Sequence, residues 1–211
     1  MGISVSRRPD MGSNGEVKIA FVIGNGKSRA VFDVSTLAPY GVTYGCNLQI
    51  EEIELDNLIV VDRSVLVHLV SQGYDKRTNM WTRQRWIDAI DCGNTRALPD
   101  PIAYPKKRWD KELQWGSGTH AANLAASQGA DVVVFIGFDL WGGNLYAGKE
   151  FYSDKDVGPD CWIYQLGQLF DKYPDVSFVQ IQPKSWKDPS NWIADNYSRD
   201  TYAGLREWLK E

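Results

Sequence analysis

VKIAFVIGNGKSR, residues 17 to 29, passes from a β-branched apolar run into a turn of small residues and cations. Lys18 to Ile23 has the composition of a strand buried on both faces, which shows a continuous apolar run. It ends in Gly24-Asn25-Gly26, followed by Lys27, Ser28 and Arg29. A buried strand entering a small-residue turn with free backbone N–H groups and nearby cations is a recurrent way to hold a phosphate. The spacing matches neither of two familiar phosphate loops. A Walker A loop needs a glycine where Phe21 stands, and a dinucleotide fingerprint needs its third glycine where Arg29 stands. Gly24, Asn25, Gly26, Ser28 and Arg29 are therefore candidate contacts of a phosphate turn of another kind, with a plain strand-turn as the alternative.

Working outward, strand and helix patterns alternate. Asp33 to Leu37 reads as a short capped helical turn, and Gly41 to Asn47 (GVTYGCN) as a second strand whose tip presents Cys46 and Asn47. Asn57 to Val61 is a third buried strand, closing on Asp62-Arg63, and Ser64 to Gln72 a helix stopped by Gly73. His68, inside VLVHLV, belongs to that helix face. Asn79 to Thr82 reads as a strand and Arg83 to Ile90 as a helix. Asp91 to Asp110 carries three prolines and reads as an extended loop of the kind that forms binding lids. In WGSGTHAANLAASQGADVVVFIGFDL, residues 115 to 140, Gly116-Ser117-Gly118-Thr119 opens a helix whose small face is Ala121, Ala122, Leu124 and Ala125. Asp131 to Ile136 follows as a strand running into Gly137-Phe138-Asp139. Trp141 to Pro159 is a Gly- and Asp-rich loop. Asp160 to Phe170 has helical spacing, Val176 to Ile181 reads as a strand, and Thr201 to Leu209 as a terminal helix. The class expected is α/β, a single Rossmann-like domain over residues 17–211 with a mainly parallel sheet flanked by helices, preceded by a flexible arm over residues 1–16.

The 211 residues, 43% of them hydrophobic, suit one core. No apolar run reaches membrane-spanning length, and the first residues have no apolar signal region. Three cysteines, odd in number and without metal spacing, point to reduced thiols in a cytoplasmic setting. A net charge of −4 argues against a protein that coats nucleic acid. The charge is uneven: Lys76 to Arg108 holds eight Lys/Arg against three Asp, with Trp81, Trp86, Trp109 and Trp115 in or beside it. Such a window suits an anionic, ring-bearing partner, or equally a solvated face over packed tryptophans. Nine tryptophans leave room for an aromatic homo-oligomer interface.

In an open parallel sheet, ligands sit beyond the carboxyl ends of the strands. Gly24-Asn25-Gly26, Asn47, Asp62 and Asp139 all fall at such ends, beside the helix start at Ser117, Gly118 and Thr119, whose unpaired N–H groups form a second anion site. The shared placement points to a nucleotide. Asp62 and Asp139 together offer oxygens for Mg²⁺, or each caps a neighbouring turn. His120, in the first helical turn near a positive helix end, is a candidate base.

IGNGKSRAVFDVSTL with the later YGCN resembles the Gly-Asn-Gly-x-Ser and Cys-Asn pattern of bacterial sialyltransferases of the Campylobacter type. It also looks like the related 6-hydroxymethylpterin pyrophosphokinase-like Rossmann domain, and GSGTHAANLAASQGADVVVFIGFDL is similar to a block both groups carry. The whole chain, with its WIYQL segment, looks most like proteins of tailed phages. The sialyltransferase resemblance implies that Asn25 and Asn47 contact a cytidine nucleotide donor, that Ser117, Gly118 and Thr119 lie against it, and that Tyr146 and Tyr152 are candidates to hold the leaving phosphate. That family's base is a histidine beyond the Gly-x-Asp strand. This chain has no histidine after His120, so the base falls to His120 or Asp139. The implied activity is a phage-encoded, nucleotide-sugar-dependent glycosyl transfer in the host cytoplasm, with modified phage DNA, a lipid-linked sugar or a small molecule as acceptor. The pyrophosphokinase resemblance implies Mg²⁺-dependent diphosphate transfer from ATP instead. A third reading is a non-catalytic protein that sequesters a nucleotide.

Overall fold

Along the central strand β1 (Ile19–Ile23), Ala20 and Val22 enter one hydrophobic core while Phe21 and Ile23 enter another. This two-sided burial is what a continuous apolar run demands. The computed structural model describes residues 17–101, 115–141, 143–152 and 158–210. Among them, eight strands form one sheet, every neighbouring pair parallel. To one side of β1 lie β2 (Val42–Cys46), β3 (Asn57–Ile59), β4 (Asn79–Thr82) and β5 (Arg96–Ala97). To the other lie β6 (Val132–Ile136), β7 (Ser177–Ile181) and β8 (Tyr197–Asp200). Val22 stands opposite Tyr44 on β2 and Phe135 on β6. The chain builds outward from β1 in one direction and then returns to β6, so the strand order reverses between β1 and β6. A crevice opens at such a point.

Among the described residues, five α-helices cover the faces: α1 (Arg63–Ser71), α2 (Gln84–Ala89), α3 (Ser117–Ser127), α4 (Asp160–Lys172) and α5 (Tyr202–Trp208). Helices α3 and α4 share a core with Ala20, Val22, Val133, Phe135 and Phe178. Helices α1 and α5 share the other with Phe21, Ile23, Val134 and Ile136. Ala121, Ala122 and Ala125 are fully buried. Their small side chains let α3 lie close over β1, β2 and β3.

The single-sheet α/β architecture expected from the sequence is the one observed. Two strands were not anticipated: β5, two residues inside the Asp91–Asp110 loop, and β8, a half-buried edge reading YSRD. The arm over residues 1–16 and the part of the loop from 102 to 114 lie outside the described residues. All three cysteines are free. In the basic window, Trp115 is buried, while Trp81 and Trp86 direct their indole N–H groups to Asn57 Oδ1 (2.9 Å) and the Val61 carbonyl (2.8 Å). Arg96 and Arg85 lie over those rings. These tryptophans are packing elements; Trp109 lies outside the described residues. No helix of the described chain is long and apolar enough to cross a membrane.

The turns after β1 and β6 are laced together. Gly24 N–H donates to the Ile136 carbonyl and Gly26 N–H to the Gly137 carbonyl, both at 2.7 Å. A Cβ on Gly24 would lie 2.4 Å from the Gly137 oxygen, so the closeness itself requires glycine. Gly24→Ala is expected to destabilise the protein by about 1–3 kcal/mol in urea unfolding. Gly158→Ala, where a Cβ meets nothing within 4 Å, should stay within about 0.5 kcal/mol of the parent.

Candidate functional site

A cleft of about 730 Å³ opens at the reversal of strand order, over the carboxyl ends of β1, β2, β3 and β6. Asn25, Asn47, Asp62, Ser117, Gly118 and Thr119 all line it, joined by Gly24, Gly26 and Asp139. The clustering of these strand-end residues is therefore present in three dimensions.

The β1 and β2 tips are joined by a residue the sequence reading passed over. Gln49 is fully buried. Its Oε1 accepts from Cys46 N–H (2.7 Å), and its Nε2 donates to the Ile23 carbonyl (3.1 Å) and to Asn25 Oδ1 (2.6 Å). Because two backbone groups fix the Gln49 amide, Asn25 must direct its own Nδ2 toward the cleft. Asn47 has a left-handed backbone (φ 53°), and its Oδ1 lies 3.3 Å from the Ser117 hydroxyl that donates to it. The other non-glycine residues with left-handed φ in the described chain, Leu140 (61°) and Phe151 (67°), also line the cleft. Backbone strain of this kind persists where surrounding structure enforces it, and it gathers at ligand sites.

Helix α3 aims its amino end at the cleft. Its N-cap, Gly116, has no side chain to satisfy the first N–H groups, and the residues facing the ligand space are Ser117, Gly118 and Thr119. The Thr119 hydroxyl lies 2.9 Å from the Gly116 carbonyl and 3.0 Å from Gln165 Oε1, two acceptors that compete for its single proton, so the donor Thr119 offers a ligand is its backbone N–H. Arg83, also unforeseen, closes the base of this wall: it is buried, and its guanidinium donates to the Val61 (3.0 Å) and Trp115 (2.9 Å) carbonyls.

Several sequence candidates have other work. The N–H groups of Gly24, Gly26 and Ser28 all donate within the protein, the last to Asp139 Oδ2 at 2.8 Å. The turn is thus a clasp between strands, a correction to its reading as a phosphate cradle. The Ser28 hydroxyl donates to Asp139 Oδ1 and lies 2.8 Å from the Tyr202 hydroxyl. Both Asp139 oxygens thereby latch the β1 turn, so Asp139 is not the free carboxylate that its expected base and metal roles require. Among the described residues, no group of three His, Cys, Asp or Glu side chains is placed to share an ion. Arg29 is buried outside the cleft lining, donating to the Tyr146 hydroxyl (3.1 Å), which donates in turn to Glu52 (2.8 Å). Tyr152 lines the cleft, whereas buried Tyr146 does not. His120 is 1% exposed and packs on Trp115, with ring centroids 5.9 Å apart. The helix carries its ring into the core, away from the ligand space expected for a base. Burial pushes the Cys46 thiol up to about 12, moderated by Arg29, so it stays protonated and is no nucleophile. Asp62 remains as an exposed carboxylate on the cleft wall.

The sequence matches no protein-family model and no curated protein. The fold is similar to that of solved Campylobacter jejuni sialyltransferases. An alpha-2,3-sialyltransferase from that organism, in apo form, is 15% identical over 92% of this chain and 93% of its own, with a TM-score of 0.55. A C. jejuni sialyltransferase in complex with the substrate analogue CMP-3FNeuAc is 16% identical over 85% of this chain and 88% of its own (TM-score 0.51). One in complex with cytidine-5'-monophosphate is 14% identical over 92% and 100% (TM-score 0.50). At these identities the likeness is one of fold, and at that level it bears out the sialyltransferase resemblance read from the sequence.

If Asp139 is a latch, its removal must register in stability without any ligand. Asp139→Asn replaces an acceptor facing two donors with an amide that can accept from only one of them. A loss of about 1–3 kcal/mol is expected, checked by urea unfolding of the ligand-free protein. Unchanged stability would contradict the latch.

Proposed function

We propose that the cleft binds a nucleotide and that the protein is a nucleotide-sugar-dependent, glycosyltransferase-like enzyme. The observation that carries this reading is the convergence of the Asn25 and Asn47 amides with the open amino end of α3 at the strand-order reversal. Support also comes from the fold, which is that of sialyltransferases whose structures contain CMP or a CMP-sugar analogue.

In this reading Asn25 and Asn47 hold the nucleoside, and the N–H groups of Ser117, Gly118 and Thr119 face its phosphate. A helix amino end favours an anion through its unpaired donors and partial positive charge. It favours still more the phosphate that gains charge as the sugar departs, which is how a ground-state contact becomes a catalytic one. An acceptor hydroxyl attacks the anomeric carbon, the bond from that carbon to the phosphate oxygen breaks, and the hydroxyl proton passes to a base. Asp62 is the carboxylate placed for that proton, given the latch on Asp139 and the burial of His120.

Isothermal titration with CMP, UMP, AMP and ATP, with and without EDTA, tests the reading. A pyrimidine nucleotide is expected to bind with or without the chelator. Asn47→Ala and Ser117→Ala should each weaken it about tenfold, equivalent to about 1.4 kcal/mol. Binding that requires Mg²⁺ and ATP would replace glycosyl transfer with diphosphate transfer. Tight binding with CMP-sugars and UDP-sugars recovered unchanged from every acceptor class would make the protein a sequestering one.

A further inference from the structure

The phenol oxygen of Tyr152 occupies the point where the donors of the β1 and β2 tips meet. Asn25 Nδ2 donates to it at 3.4 Å, and the Asn47 side chain and the Leu48 backbone lie close to the same oxygen. The polarity of this point is set from below. Cys46 N–H occupies Gln49 Oε1, so Gln49 offers only its Nε2 to Asn25, and Asn25 can present only N–H groups to the cleft. Asn47 is held in a left-handed backbone beside this point, the conformation found in anion-binding nests, and the nest meant below is this meeting place of the β1 and β2 tips.

The hydrogen bond that reaches the phenol oxygen is the one from the Asn25 amide. The contact with Asn25 is at the long end of hydrogen bonding. The residue leading into Tyr152, Phe151, is held at a positive φ of 67°. A phenol on a strained approach, imperfectly matched to its donor, is a poor permanent occupant.

We infer that this nest is the binding site for an acceptor oxygen of the ligand, a base carbonyl or a phosphate oxygen, and that the Tyr152 phenol stands in for it until the ligand displaces it. The inference rests on the nucleotide reading and adds to it the polarity of the site and a residue that competes with the ligand. It also reverses the part that the sialyltransferase resemblance implies for Tyr152. A tyrosine that holds the leaving phosphate strengthens binding, whereas one that fills the nest weakens it.

Titration of the full chain and its Tyr152→Phe variant with CMP, cytidine and ribose 5-phosphate separates the two. The phenylalanine keeps the ring stacked on Tyr146, now 5.4 Å away between centroids, and removes only the oxygen. Tyr152→Phe is expected to bind CMP about fivefold tighter, the value of the hydrogen bond the ligand no longer has to break. The same gain with cytidine assigns the nest to the base carbonyl, and with ribose 5-phosphate to the phosphate oxygen. Asn25→Asp, which turns the donor into an acceptor, should weaken CMP at least about tenfold. Unchanged or weaker CMP binding by Tyr152→Phe, or unchanged binding by Asn25→Asp, overturns the inference while leaving the nucleotide reading in place. Failure of every probe to bind either the parent or Tyr152→Phe overturns the nucleotide reading itself.

Discussion

The clasp between the turns after β1 and β6 is the contact on which the rest of the molecule depends. Two N–H···O bonds of 2.7 Å join Gly24 and Gly26 to Ile136 and Gly137, and Asp139 binds Ser28 through both backbone and hydroxyl. These are the two strands between which the strand order reverses, so without such a bond their turns would splay and the floor of the crevice would be lost. The approach is close enough that side chains are excluded at the crossing: a Cβ on Gly26 would lie 2.4 Å from the Asp139 Cγ. The clasp also seats Phe138, whose ring fits in the space left by the absent side chains of Gly24 and Gly118. Gln180 and Gln182 donate to its carbonyl at 2.7 and 2.9 Å, fixing the same peptide from the β7 side.

From that fixed floor the polarity of the cleft follows by a short chain of hydrogen bonds. Backbone groups at Cys46 and Ile23 orient Gln49, Gln49 orients Asn25, and Asn25 presents donors. An isolated surface asparagine can rotate its amide by half a turn at little cost and reads nothing. One whose oxygen is held by a fully buried partner has its choice made for it, because reversal would bring two N–H groups face to face in a desolvated site.

The fold was legible because each buried strand carries its own apolar run, and because glycines mark where strands stop and α3 begins. The edge strand β8 hid because YSRD is polar and only half buried, so no period rises above loop composition. Within the site, strand-end placement located Asn25, Asn47, Asp62 and the α3 start, since in a parallel sheet the position of a residue along its strand fixes which end it reaches. Orientation was not legible. Gly24-Asn25-Gly26 reads alike whether its N–H groups face a phosphate or the neighbouring turn, and the difference lies in Gly137 and Asp139, more than a hundred residues away. Gln49 and Arg83 gave no signal because the contacts that make them matter to the site, Gln49 with Ile23 and Asn25 and Arg83 with Val61 and Trp115, join groups distant in sequence, and a lone buried amide or guanidinium looks in sequence like any polar loop residue.

The cleft that results is poor in charge. Among the described residues lining it, the cation is Arg83, whose guanidinium is committed to the Val61 and Trp115 carbonyls, and the anions are latched Asp139 and exposed Asp62. Lys27 and Arg29, the cations that made the β1 turn look like a phosphate site, stay outside the lining; Arg29 is buried against Tyr146. In the proposed nucleotide reading, recognition of an anion therefore falls to neutral donors: the asparagine amides and the first turn of α3. Such donors are fixed in direction and screened little by salt, whereas lysines would attract any phosphate from any angle. A cleft of this kind gains less from long-range attraction and more from geometry. That suits the transfer of a group from one particular nucleotide better than general binding of polyanions.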